Sequence, residues 1–189
     1  MVKKIFFTLL ILSVTLLSAN GQKLKFGLKG GLNLAILGED ATGLEHRIGI
    51  HGGGFASVPV VAGFLLQPEI VYSQQGAQAD FGDDELKYDY LNIPVMVKFM
   101  LNNHFNLQAG PQLGILLSAQ QEVNRQDVDI KDTLKSSDFG VGFGLGYETA
   151  DNVAIDVRYN LGISDTADDG DDNFSAPNRV IQVSLGIAF

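Results

Sequence analysis

The sequence predicts an all-β protein, an eight-stranded antiparallel up-and-down transmembrane β-barrel with long extracellular loops and short periplasmic turns. Three observations carry that prediction. After residue 22 the chain divides into eight segments of period-two alternation, each long enough to cross a bilayer as a tilted strand. One face of every segment is almost unbroken Leu, Ile, Val and Phe, and the other holds Lys, Arg, carboxylates, Gln, Asn and Gly. The connections alternate long and short, as in an outer-membrane barrel.

The opening residues come before any strand. Lys3 and Lys4, an apolar run from Ile5 to Leu17 and the small residues Ala19-Asn20-Gly21 have the layout of a secretory signal peptide. The apolar run is shorter than the roughly 18–20 residues a spanning helix needs. Residues 1–21 are therefore expected to be removed, leaving 22–189 as one barrel domain in the cell outer membrane. The chain has no cysteine and a net charge of −9. This excludes a disulfide framework, a thiolate metal site and a cysteine nucleophile, and the acidic balance argues against nucleic-acid binding.

The first segment, KLKFGLKGGLNL, sets Phe26, Leu28 and Leu32 against Lys25, Lys29 and Asn33. The second, IGIHGGGFASV, sets Ile48, Ile50, Ala56 and Val58 against His51, Phe55 and Ser57. The third, GFLLQPEIVYSQ, sets Phe64, Leu66, Ile70 and Tyr72 against Gln67, Glu69 and Ser73. The fourth, YLNIPVMVKFML, sets Leu91, Ile93, Val95, Val97 and Phe99 against Asn92, Met96 and Lys98.

The fifth, FNLQAGPQLGILLS, sets Phe105, Leu107, Leu113, Ile115 and Leu117 against Asn106, Gln108, Gln112 and Ser118. The sixth, DFGVGFGLGYE, alternates Phe139, Val141, Phe143, Leu145 and Tyr147 with Gly140, Gly142, Gly144 and Gly146. The seventh, VAIDVRYNLGI, sets Ile155, Val157, Tyr159 and Leu161 against Asp156, Arg158 and Asn160. The eighth, RVIQVSLGIAF, sets Ile181, Val183, Leu185, Ile187 and Phe189 against Gln182, Ser184 and Gly186. Long connections are expected at Ala35–Arg47, Gln75–Asp89, Ala119–Ser137 and Ser164–Asn178. Tight turns are expected around Pro59, Asn102–His104 and Ala150–Asn152.

The apolar face belongs toward lipid. A ligand-carrying soluble barrel has the opposite faces, and eight strands enclose a space just filled by side chains. Polar groups there can satisfy one another, and a closed barrel satisfies every backbone group in lipid. Three prolines, Pro68, Pro94 and Pro111, fall inside strands and predict bulges or irregular pairing, and the alternation slips between Tyr90 and Leu91.

Four stretches, FLLQPEIVYSQQGA (64–77), YLNIPVMVKF (90–99), LQAGPQLGILLSA (107–119) and DVRYNLGI (156–163), resemble the small outer-membrane β-barrel domain family of Bacteroidetes, also called PorT-like or porin-family. The resemblance covers nearly all of the mature chain. It implies the barrel fold, and through one member type it implies an accessory role in protein secretion across the outer membrane.

The inward face places Lys25, Lys29, Glu69, Lys98, Glu148, Asp156 and Arg158 in the lumen as a structural ion-pair network. Glu69 is expected to pair with Lys98, and Arg158 to meet Glu69 or Asp156. All of the 22 carboxylates except Glu69, Glu148, Asp151 and Asp156 fall in the long loops or their junctions, making an acidic outer surface. The run DTADDGDDN lacks the register of an EF-hand loop, so no metal or cofactor is expected. His46, His51 and His104 are spread along the chain with no Ser–His–Asp set to join, so no enzyme is expected. A terminal aromatic, Phe189, ends the last alternating strand in the manner of a barrel assembly signal.

The function expected from sequence is a small non-catalytic barrel with a structural, surface-interaction or accessory role and a polar plug. A narrow channel for ions or small solutes is the alternative, and a secretion accessory is another. Its expected partners are outer membrane lipid, lipopolysaccharide and the barrel assembly machinery, with the protein itself a monomer.

Overall fold

A computed structural model of the chain describes residues 24–37, 44–79, 85–123, 126–163 and 178–189. The signal-peptide segment and the run DTADDGDDN lie outside the described residues. Among the described residues there are nine strands: β1 (Lys25–Leu37), β2 (Leu44–Val61), β3 (Phe64–Ala79), β4 (Glu85–Met100), β5 (Phe105–Val123), β6 (Gln126–Asp129), β7 (Ser137–Glu148), β8 (Val153–Gly162) and β9 (Asn178–Ala188). Eight of them close a ring. Each pairs antiparallel with its chain neighbour, β5 passes directly to β7, and β9 returns to β1. Short β6 pairs only with the far end of β5, above the ring.

The inside–outside assignment follows the alternation. Leu28, Ile50, Ile70, Leu145, Val157 and Leu185 stand outward and exposed, while Lys29, His51, Glu69, Gln108, Arg158 and Ser184 are buried. This is the reverse of a soluble core, and it is stable only where the outer solvent is hydrocarbon. At the short-turn end the rings of Phe64 and Phe99 meet with centroids 4.8 Å apart, and those of Phe105 and Tyr147 at 4.9 Å. They form part of an aromatic girdle of the kind found at a membrane interface.

Two of the expected tight turns fall where the sequence puts them, and the first does not. Pro59 remains inside β2, beside a register shift, and the turn lies at residues 62–63. Gly63 takes φ 82° there, a conformation that costs glycine little and suits the tight reversal. At the third turn Asn152 adopts φ 60° and ties three elements together. Its side-chain oxygen accepts from Lys25 Nζ at 2.6 Å, and its carbonyl accepts from the Ala188 amide at 3.0 Å.

The loop-side ends of the strands run further than expected. β3 continues to Ala79 and β4 begins at Glu85, so only residues 80–84 separate them. β5 runs to Val123 and turns back as β6. The alternation was legible in Leu86-x-Tyr88-x-Tyr90, but with apolar groups inside rather than outside. A register shift sits between Asp89 and Tyr90, where Leu117 of β5 is extra between Leu116 and Ser118. Leu116 keeps the inward phase of β5, and beyond it the bulge turns Ala119 inward and leaves Ser118, expected inside, partly exposed. Tyr88, Tyr90, Ala77, Leu116 and Ala119 then form an apolar cluster at the loop end of the lumen, with Leu86, Ile130 and Leu134 against it.

The three strand prolines bring irregular pairing, one of the two outcomes expected of them. None shifts the register. Instead the pairing is interrupted at Ala56–Ser57 opposite Gln67–Pro68, at Glu69–Ile70 opposite Ile93–Pro94, and at Val95–Met96 opposite Gly110–Pro111. Each proline lacks a ladder donor, and the three gaps form a diagonal seam across four neighbouring strands.

Candidate functional site

The lumen is built from inward positions of all eight wall strands, and its centre is Glu69. Gln67 and Glu69 share a face of β3, so the Gln67 amide donates to Glu69 Oε1 at 2.8 Å. Arg158 on β8 reaches across and forks onto the same carboxylate, Nη1 to Oε2 at 3.1 Å and Nη2 to Oε1 at 2.8 Å. Lys29 on β1 donates to Oε2 at 3.2 Å. One carboxylate, fully enclosed, thus holds two cations and an amide. A bidentate Arg–carboxylate pair is among the stronger arrangements for charges removed from water.

The network continues toward the short-turn end. Arg158 Nη2 also donates to Gln108 Oε1 at 2.7 Å, and the Gln108 amide donates to Asp156 Oδ1 at 2.8 Å. Lys98 lies 3.9 Å from that oxygen and donates to Glu148 Oε1 at 3.0 Å. Lys25 stands at the exposed rim on Asn152. All seven expected lumen charges therefore face the interior or its mouth. The expected pairing of Glu69 with Lys98 is corrected. Register places Lys98 opposite Leu65, nearer the short-turn end, so it finds Glu148 while Glu69 takes Lys29 and Arg158. Arg158 meets Glu69 directly and Asp156 only through Gln108.

On the loop side of Glu69 the contacts are neutral. His51 sits between Asn33 Oδ1 and Ser184 Oγ, each 2.8 Å from a ring nitrogen. Asn33 also donates to Ser73 Oγ at 2.9 Å and accepts from Gln182 at 3.0 Å. Above this layer comes the apolar cluster around Tyr88 and Tyr90.

Strand β7 makes room for all of this. A Cβ at Gly142 would lie 2.7 Å from Asn160 Oδ1 and 3.3 Å from Arg158 Cδ. At Gly146 it would lie 2.5 Å from Asp156 Oδ1 and 2.6 Å from Asn106 Nδ2, and at Gly144 it would lie 2.6 Å from the Val157 carbonyl. The bare face of the glycine stripe is occupied by neighbouring side chains at Gly142 and Gly146 and by the β8 backbone at Gly140 and Gly144. Phe55 plays the matching part on β2: its ring lies over Gly27, where a Cβ would come within 2.2 Å of Cζ. Beside it a mouth cavity of about 220 Å³ opens at the short-turn end, among Lys25, Lys98, Glu148 and Asp156.

Outside the lumen, Lys87 above the ring pairs with Glu122 and with Asp127 at 3.2 Å, and the hydrogen bonds it donates to those carboxylates raise its pKa. Arg47 lies 3.6 Å from Glu85. No group of three metal-ligating side chains converges among the described residues. His46 is exposed on β2, and His104 lies in a turn, its Nδ1 donating to the Glu148 carbonyl at 2.9 Å and its ring stacked on Tyr147. The three histidines do not come together.

The family model for the outer membrane protein beta-barrel domain matches residues 18–168. Among solved structures, Neisserial surface protein A is similar, at 13% identity and TM-score 0.59, covering 90% of this chain and 100% of that one. Ail, the attachment invasion locus protein of Yersinia pestis, is similar at 15% identity and TM-score 0.56, covering 87% of this chain and 98% of that one. A second Ail structure, in complex with the heparin analogue sucrose octasulfate, is similar at 14% identity and TM-score 0.55, covering 88% and 99%. At these identities the likeness is one of fold. No curated protein matches by sequence.

Proposed function

The chain belongs to the outer membrane protein beta-barrel domain family, and from that premise we propose that it is a non-catalytic, non-conducting barrel whose work is done at its outer surface. The observation that carries the reading is the filled lumen, with Arg158, Glu69 and Lys29 locked across its middle and the Tyr88–Tyr90 cluster above them. An aqueous route would have to pass both layers. In planar bilayers the purified protein is expected to give no discrete conductance steps, and regular steps would favour the narrow-channel reading.

The short turns are proposed to face the periplasm and the extended β2–β6 end to face outward, after cleavage of residues 1–21. Among the described residues the rim carries Glu85, Asp89, Glu122, Asp127, Asp129 and Asp132 against Arg47, Lys87, Lys131 and Lys135, and the acidic run DTADDGDDN follows β8 at the same end in sequence. A polyanion such as the one bound to Ail does not suit so acidic a surface. Cationic partners, or lipopolysaccharide bridged through divalent ions, do suit it. The Bacteroidetes, PorT-like affiliation and a secretion-accessory role rest on the four sequence stretches alone. The protein is proposed to act as a monomer, since every strand edge of its ring is already paired.

Phe189 closes the β1–β9 seam, exchanging backbone hydrogen bonds with Phe26 at 2.8 and 3.3 Å. Its role as an assembly signal is a proposal. Deleting Phe189 should reduce the heat-modifiable protein recovered from outer membranes severalfold, and unchanged recovery would remove that role.

A further inference from the structure

The proline seam and the lipid-facing wall coincide at one place. Where pairing lapses between β2 and β3 and again between β3 and β4, the outer surface is hollowed into an apolar groove of about 590 Å³. Gly54 and Pro68 form its floor, and Phe26, Leu28, Ile70 and Phe189 stand up around it. A Cβ at Gly54 would meet only the Gly27 carbonyl at 3.6 Å and Leu28 Cδ2 at 3.9 Å, so the hollow exists because a side chain is missing rather than because a neighbour fills it. Glu69 also borders the groove, while its carboxylate points the other way, into the centre of the lumen network.

We propose that this groove is a discrete site for one acyl chain of a phospholipid in the leaflet on the short-turn side. The occupant follows from the setting. The walls are hydrocarbon or aromatic ring, the groove lies near the short-turn end beside the C-terminal residue, and the surrounding phase presents acyl chains continuously. A void lined by apolar groups forfeits dispersion contacts, which a flexible chain restores without a change in the wall. Filling it also covers the wall where the ladder is interrupted, directly outside the Glu69 ion pairs. The proposal rests on the lipid-facing reading of the outer surface.

The chain has no tryptophan, which permits a clean reporter. Phe26→Trp places one in the groove, and Phe105→Trp places one near the same end of the barrel but outside it, at similar exposure (55% and 51% for the native rings). Each is titrated in detergent with phosphatidylethanolamine brominated on its acyl chains. Phe26→Trp fluorescence should fall to a plateau at a stoichiometric lipid ratio, while Phe105→Trp declines gradually without one. Adding Gly54→Leu should erase the plateau. Ala56→Leu fills the same floor and provides a second reading should Gly54→Leu fail the heat-modifiability check for folding. Identical curves for the two reporters, or a plateau that survives filling of the floor, would overturn the site. A plateau lost only on concentration-dependent dimerisation would assign the groove to a second copy and equally overturn it. Absence of quenching at both positions in brominated bilayers would instead sink the lipid-facing reading itself.

Discussion

Gly144→Leu should abolish folding into detergent micelles, with complete loss of the heat-modifiable band, whereas Leu145→Ala one position away should leave it in place. The Cβ alone would sit 2.6 Å from the Val157 carbonyl and 3.2 Å from both Arg158 Cα and Gln108 Cγ. The nearest obstacle is backbone, which cannot rotate aside, and the remaining Leu atoms would enter a lumen already holding Arg158 and Gln108. Overpacking usually costs about 1–3 kcal/mol in a core that can adjust. A ring closed by eight pairings has little freedom to adjust, so the cost here should exceed that range. Leu145 is 59% exposed to the outside, and its truncation exchanges one lipid contact for another.

Glu69→Ala should destabilise the barrel by about 3–5 kcal/mol, the range for removing one partner of a buried ion pair. The loss is large because two cations, Lys29 and Arg158, would remain enclosed without the one carboxylate that both of them contact. Urea unfolding followed by gel shift measures it. Arg158→Met in the Glu69→Ala background should recover a substantial part of the loss, since it removes one stranded charge. A double-mutant cycle with no coupling between Glu69 and Arg158 would show that the fork is incidental. Lys98→Met should cost less, because its partner Glu148 is partly exposed and can turn to water.

The wall was legible residue by residue, because lipid and lumen impose opposite demands at every second position. Glycines on β7, the inward polar set and the even ring all follow from that single constraint. What alternation could not supply was the third coordinate, the stagger of one strand against the next. That is why Lys98, correctly placed inside, was expected beside Glu69 but lies opposite Leu65. The apolar cap was missed for a different reason. Tyr88, Tyr90 and Leu116 keep the period but carry the chemistry of the outer face, and Ala119 joins them only because the Leu117 bulge reverses the phase of β5 just where they meet. Of the two outcomes expected beside the prolines, bulges or irregular pairing, the second is present, because a proline at constant register needs only to forgo a hydrogen bond. Three such omissions in a diagonal could not be seen until the strands were aligned.

The fold, the plug and the groove share one premise: the apolar exterior meets lipid and the interior is filled. The chain's three methionines make this testable, because Met96 is fully enclosed in the lumen although its side chain is apolar. With methyl-labelled Met and Leu in lipid nanodiscs, Leu145 and Leu185 should give strong nuclear Overhauser contacts to acyl-chain protons. The Met96 methyl should give none, and should contact Arg158 instead. Acyl-chain contacts from Met96, or their absence at Leu145 and Leu185, would contradict the assignment.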